Sequence, residues 1–152
     1  MAVVGSMLAA APLLAQDAQS LTITGPDGAV VASLDLAALD AMAQSEFTTT
    51  TIWTDGPVLF SGVALSTVLD SAGVTGTTLT MTALNDYAVD MPVSEITEDA
   101  PIIATRMDGE PMSVRDKGPF WVVYDYDSDT AFQTEAIFAQ SIWQLNRLTL
   151  ME

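Results

Sequence analysis

The chain contains no cysteine and no histidine, and only four of its 152 residues are Lys or Arg. Without cysteine there is no disulfide, no thiolate nucleophile and no thiolate ligand for a soft metal. Without histidine there is no Ser-His triad and no imidazole ligand for zinc, copper or haem. Carboxylates, Tyr, Lys and hydroxyl groups are left as candidate acid-base groups. Twenty acidic residues against four basic ones give a formal net charge of -16. Nucleic-acid binding needs many Lys or Arg contacts to phosphate, and anionic lipid demands the same sign, so neither is an expected partner. The acid excess reads as a solvated surface suited to a salty medium.

What is present is apolar. Hydrophobic residues make up 49% of the chain and charged residues 16%, which specifies a folded globule with one core. Met1 to Ala15 is an unbroken apolar, small-residue run with no polar stripe, and it ends just before Gln16-Asp17-Ala18. It reads as a secretory signal peptide over 1–18, cleaved near 15–18, although no basic residue precedes it. The folded domain is then 19–152, and the expected location is the periplasm of a bacterium.

Patterning within 19–152 predicts a single α+β domain, richer in strand than helix. Leu21 to Thr24 and Ala29 to Val31 flank Pro26-Asp27-Gly28 as a hairpin. Ser33 to Ala43 and Ala64 to Ala72 carry apolar residues three and four apart and read as short helices, the second capped by Gly73. Strands are expected over Glu46–Trp53, Thr77–Leu84, Ala88–Met91, Ile102–Met107, Gly118–Tyr124 and Ile142–Leu150. Ser94 to Ile96 suggests one helical turn, and Phe132 to Ala139 fits either helix or loop. Asp125-Tyr126-Asp127-Ser128-Asp129 has alternating acids but lacks the glycine and distal glutamate of an EF-hand, so it reads as a solvated loop.

Arg106, Arg115 and Lys117 are three of the four basic residues and fall within one short segment, marking a candidate site for an anionic or strongly accepting ligand. Several short motifs extend that thought. Phe60-Ser61-Gly62-Val63-Ala64-Leu65 with Val68-Leu69-Asp70, then Asn85-Asp86-Tyr87, Met107-Asp108-Gly109-Glu110-Pro111-Met112, Lys117-Gly118-Pro119 and Ile142-Trp143-Gln144-Leu145 follow one another along the chain. In that order they resemble the sulfite-oxidase-type molybdopterin-binding fold from about Leu21 to Leu150. Members that are enzymes supply a cysteine thiolate to molybdenum from the segment that is here Phe47-Thr48-Thr49-Thr50-Thr51-Ile52-Trp53. Threonine is a poor substitute, so the resemblance carries over no catalytic residue and no metal ligand.

Thr-Thr-x-Trp, Arg115-Asp116-Lys117-Gly118-Pro119 with Trp121 and Tyr124, and the closing Ile142 to Leu145 are most similar to small exported pterin-binding relatives of that fold. The resemblance implies a pterin as ligand, not a tightly held cofactor. It also implies a membrane-bound signalling partner, a sensor kinase or diguanylate cyclase. A molybdopterin-dependent oxidoreductase lacking the protein Cys ligand, or a ligand-free adaptor, are the alternatives.

A pterin ring is held by stacking and by hydrogen bonds along its edge. Trp53 and Trp143 fit a core or a pocket mouth equally by their neighbours; the resemblance assigns both to the pocket. Trp121 lies in an apolar run and is expected in the core. Arg115 and Lys117 are candidates for a ligand carbonyl or phosphate, with pairing to Asp108, Glu110 and Asp116 as the competing role, the stronger of the two for Lys117. Asp86 and Tyr87 are candidates from their turn, as a paired acceptor and an aromatic wall; a plain turn and a core ring are the alternatives. Thr51, with Thr50, is placed on the pocket floor or simply in a strand. Arg106, alternating with apolar strand neighbours, suits a structural salt bridge.

Overall fold

A computed structural model describes residues 19–152. The signal-peptide reading of 1–18 lies outside the described residues. Strand β1 (Leu21–Thr24) turns through Gly28, whose φ of 82° needs glycine, into β2 (Val30–Leu34). The Asp27 carboxylate accepts from Ala29 N at 3.1 Å and closes that turn. Helix α1 (Leu36–Asp40) is shorter than expected because Leu34 stays in the ladder opposite Leu21 and Asp35 caps the helix, accepting from Ala38 N at 2.8 Å.

Strand β3 (Ser45–Thr49) pairs with β4 (Val58–Ala64), which runs directly into α2 (Leu65–Ala72). That helix ends at Gly73 in the left-handed conformation, as its sequence predicts. Strands β5 (Thr78–Ala83) and β6 (Ala88–Pro92) form a hairpin, followed by a 3-10 turn at Val93–Glu95. Then come β7 (Ile102–Met107), the two-residue β8 (Glu110–Pro111), β9 (Trp121–Val123), α3 (Glu135–Gln140) and β10 (Leu145–Met151).

The strands make two sheets. One has the order β2-β1-β10-β5-β6; in the other β3-β4-β7-β8 run in order and β9 also pairs with β7. Among the described residues only the β1–β10 pair is parallel, Thr22 opposite Arg147. The main core joins both sheets and α2, with Leu21, Ile23, Leu79, Met81 and Leu148 meeting Val63, Leu65, Val68 and Ile103. A second cluster of Phe60, Ile102, Ala104, Trp121 and Val123 lies on the other face of β7. Strand β7 is therefore buried on both faces, which is why Ile102 to Ala104 is uninterrupted hydrophobic sequence.

Besides α1, three expected strands are cut back at an end. β3 stops at Thr49 instead of running to Trp53, because Thr50 is drawn out of the strand to Asp127. The strand expected from Gly118 starts only at Trp121, since Lys117 is left-handed at φ 74°. β10 starts at Leu145 because Gln144, at φ 53°, breaks the extended run from Ile142. The ambiguous 132–139 stretch resolves into α3, with Thr134 capping it through a bond from Ile137 N at 3.3 Å.

Candidate functional site

Trp53 sits on the loop between β3 and β4 and packs against both hydrophobic clusters. Local bonds build that loop. Trp53 N donates to Thr51 Oγ1 at 3.0 Å, and the Thr51 and Thr54 hydroxyls share a bond of 2.8 Å. Thr50 donates its N–H and hydroxyl to the two carboxylate oxygens of Asp127, at 2.8 and 2.7 Å. Thr49 Oγ1 accepts from Asp127 N at 3.0 Å. The hydroxyls of Thr49, Thr50 and Thr51 are thus engaged in shaping the loop that carries Trp53.

Four aromatic rings surround the Trp53 indole. Trp121, Tyr126, Phe138 and Trp143 stand at centroid distances of 5.9, 6.2, 5.8 and 5.8 Å, all near edge-to-face. Trp121 is fully buried and donates Nε1–H to the Ser141 carbonyl at 3.1 Å, the core role expected of it. Trp143 is 38% exposed and Tyr87 57% exposed. Between them, Trp53 and Phe138 opens a cleft of about 350 Å³, also lined by Asn85, Ser141, Ile142 and Gln144. Such a volume is at the small end of small-molecule sites.

Two amides at this cleft have orientations fixed by their partners. Asn85 Oδ1 accepts from Tyr87 N at 3.2 Å, so its NH₂ group is the uncommitted end. Gln144 Nε2 donates to the Val114 carbonyl at 2.7 Å, so its Oε1 is uncommitted. An aromatic-walled recess with one amide donor and one amide acceptor is suited to the edge of a flat heterocycle. Sequence alone singles out neither amide, and Phe138 lies in the stretch that fits either helix or loop. The Thr134 cap with Ile137 and Phe138 following is the signal that locates it.

Behind the aromatic wall, Tyr124 OH donates to Gln140 Oε1 at 3.0 Å and Tyr126 OH to Ser141 Oγ at 2.7 Å. Burial pushes the Tyr126 phenol up to about 12 and, assisted by the charges of Tyr126 and Glu95, that of Tyr124 higher still. Both stay neutral donors at ordinary pH, so they brace α3 and are not poised for proton transfer.

A second cleft, about 460 Å³, is also lined by Trp53 and contains Arg115 and Lys117 with Asp55, Met107, Glu110 and Asp116. The Lys117 ammonium lies 5.4 Å from the Trp143 ring centroid and 5.7 Å from that of Trp121. Pairing of Lys117 with Asp108, Glu110 or Asp116 does not occur. The single ion pair among the described residues joins Arg106 to Asp40, bidentate at 2.7 and 2.9 Å, as expected for Arg106. Asp108 instead accepts from Leu59 N at 3.0 Å, and Asp116 from Ser113 Oγ at 3.1 Å.

The candidate residues therefore divide. Trp53, Trp143 and Tyr87 share the first cleft; Arg115 and Lys117 share the second with Trp53. Thr51 and Asp86 line neither. Thr51 faces a separate recess with Tyr126 and Phe138 and acts through the Trp53 loop. Asp86 is exposed and left-handed at φ 67°, a turn residue whose N–H bonds to the Ala83 carbonyl, so its carboxylate is not brought to the cleft. Asp127 accepts from Thr50 across the fold, and Asp129 accepts locally from Ala131 N.

For a molybdenum-bearing pterin the fit is partial. The aromatic cleft suits the ring and the cations of the second cleft suit a phosphate. The donor set does not suit a soft metal: the sequence has no thiolate, and among the described residues no group of three Asp or Glu could hold an ion.

Residues 39–124, more than half of the chain, match the model of the oxidoreductase molybdopterin binding domain. No curated protein matches the sequence. The fold is similar to the crystal structure of the sulfane dehydrogenase SoxCD from Paracoccus pantotrophus, with TM-score 0.65 and 18% identity over 88% of this chain. The chain spans 39% of that relative, which at this identity shares the fold alone. The aromatic cleft at Trp53 is thus set in a chain that belongs to the oxidoreductase molybdopterin-binding domain family.

Proposed function

We propose that this domain binds a free pterin in the cleft between Trp53, Tyr87 and Trp143 and has no oxidoreductase activity of its own. One observation carries the reading. An aromatic recess holds a fixed amide donor at Asn85 and a fixed amide acceptor at Gln144, matching a ring edge that carries both NH groups and a carbonyl oxygen. The threonine run supports the same reading, since the protein supplies hydroxyls already bonded elsewhere where enzymes of this fold supply sulfur. In this proposal the protein is exported to the periplasm and reports occupancy to a membrane-bound sensor kinase or diguanylate cyclase. Ligand would act by favouring one conformation of the complex with that partner.

The test is tryptophan fluorescence during anaerobic titration with tetrahydrobiopterin. Saturable quenching, weakened in Trp143→Ala, is the expected result. Absence of any specific change, or stoichiometric molybdenum in protein from a cofactor-competent host, would overturn the proposal in favour of an adaptor or a metalloenzyme respectively.

A further inference from the structure

Trp53, Tyr87, Phe138 and Trp143 together have the composition of an aromatic cage, the usual receptor for quaternary ammonium groups. A net charge of -16 strengthens that tendency, because the field of the whole chain concentrates cations at any recess. A cleft meant for a neutral or acidic heterocycle has to reject the cations its own surroundings attract.

Lys117 is placed to do this. Its ammonium lies within cation–π range of Trp143, a wall of the cleft, and of Trp121 behind it. The backbone that carries it is fixed, since Lys117 is left-handed at φ 74° and its carbonyl accepts from Gln144 N at 3.0 Å. Gln144 in turn is locked to Val114 through its side chain. Asp55, Glu110 and Asp116 line the same second cleft as Lys117, yet none forms an ion pair with it. The positive charge is therefore not neutralised by contact, and from the second cleft it already engages Trp143, one of the four rings that an incoming cation would use.

We infer that Lys117 is the specificity-determining residue of the cleft, admitting neutral and anionic planar heterocycles and excluding cationic ones. The inference rests on the pterin reading for the identity of the accepted ring, but the exclusion of cations is a property of Lys117 itself. It predicts that pterins with an acidic side chain bind at least as well as neutral ones, despite the acidity of the protein.

The experiment compares pterin-6-carboxylate with the flat cation 1-methylquinolinium, both followed by tryptophan quenching, in wild type, Lys117→Met and Lys117→Arg. In Lys117→Met the ratio of carboxylate to cation affinity should fall by on the order of tenfold, while Lys117→Arg keeps the wild-type ratio. An unchanged ratio in Lys117→Met overturns the inference and leaves the pterin reading standing. Should wild type bind neither tetrahydrobiopterin nor the carboxylate, the pterin reading fails. The quinolinium arm then decides alone: a gain in Lys117→Met supports the role of Lys117, and no gain overturns it.

Discussion

The Asp127 carboxylate accepts both the backbone N–H and the hydroxyl of Thr50, at 2.8 and 2.7 Å, across 77 residues of sequence. The bond from Asp127 N to Thr49 completes a clamp between the end of β3 and the loop after β9. Trp53 follows on the clamped strand end, so an exposed carboxylate outside the cleft fixes the wall of the cleft. Bonds from Thr50 hold the Asp127 carboxyl below its usual value of 3.8.

A group whose folded pKa is depressed contributes stability above its unfolded value and loses it as pH falls through the folded one. The clamp should therefore be intact at neutral pH and fail only below the usual carboxylate value of 3.8. Asp127→Ala should lower the melting temperature and weaken pterin binding near neutrality, with the stability gap to wild type closing as pH drops below that value. Thermal melts of both proteins from neutral to strongly acid pH make the check; a gap that stays constant would deny the clamp its role.

Trp53 and Trp143 should separate stability from binding. Trp53 touches four rings and both hydrophobic clusters, so Trp53→Ala should cost roughly 3–5 kcal/mol, as large aromatic truncations do. Trp143 is 38% exposed, and Trp143→Ala should cost about 1 kcal/mol or less while weakening ligand quenching. Urea unfolding alongside titration would distinguish the two.

Two motif glycines are steric necessities. A Cβ on Gly62 would stand 2.0 Å from the Ile103 carbonyl oxygen, and one on Gly118 2.1 Å from that of Met112. Both obstacles are backbone and cannot swing away. Gly62→Ala and Gly118→Ala should each destabilise by roughly 3 kcal/mol or more, read as lost soluble expression or a lower urea midpoint.

Arg106 serves as a contrast to the other basic residues. Its pair with Asp40 is partly exposed, so Arg106→Ala should cost only about 0.2–1 kcal/mol, and less at high salt. Ligand titration should be unchanged in this variant, whereas Arg115→Ala, on the second cleft, should weaken a phosphorylated pterin.

Much of the local fold was legible. The hairpin at Gly28, α2 with its Gly73 cap, β5 and β7 follow from periodicity and turn chemistry that act within a few residues. The ordered motifs located the family because several of their residues are fixed by backbone packing, as Gly62 and Gly118 show. For that reason the motifs speak to the fold more than to the ligand. The same resemblance is what singles out Trp53 and Trp143 as candidates. The amides of Asn85 and Gln144 were not, since an uncommitted amide end is defined only by what its other end bonds to.

By itself, then, the sequence determined the strand and helix alternation, the absence of thiolate and imidazole chemistry, and the scarcity of positive charge. These depend on composition and on neighbours close in the chain. The tertiary structure decided that β1 lies parallel to β10, that Asp127 reaches Thr50, and that Lys117 rests by two indoles instead of a carboxylate. Each of these joins distant parts of the chain or selects one partner among several acids, and only the packing of the two sheets sets which groups meet.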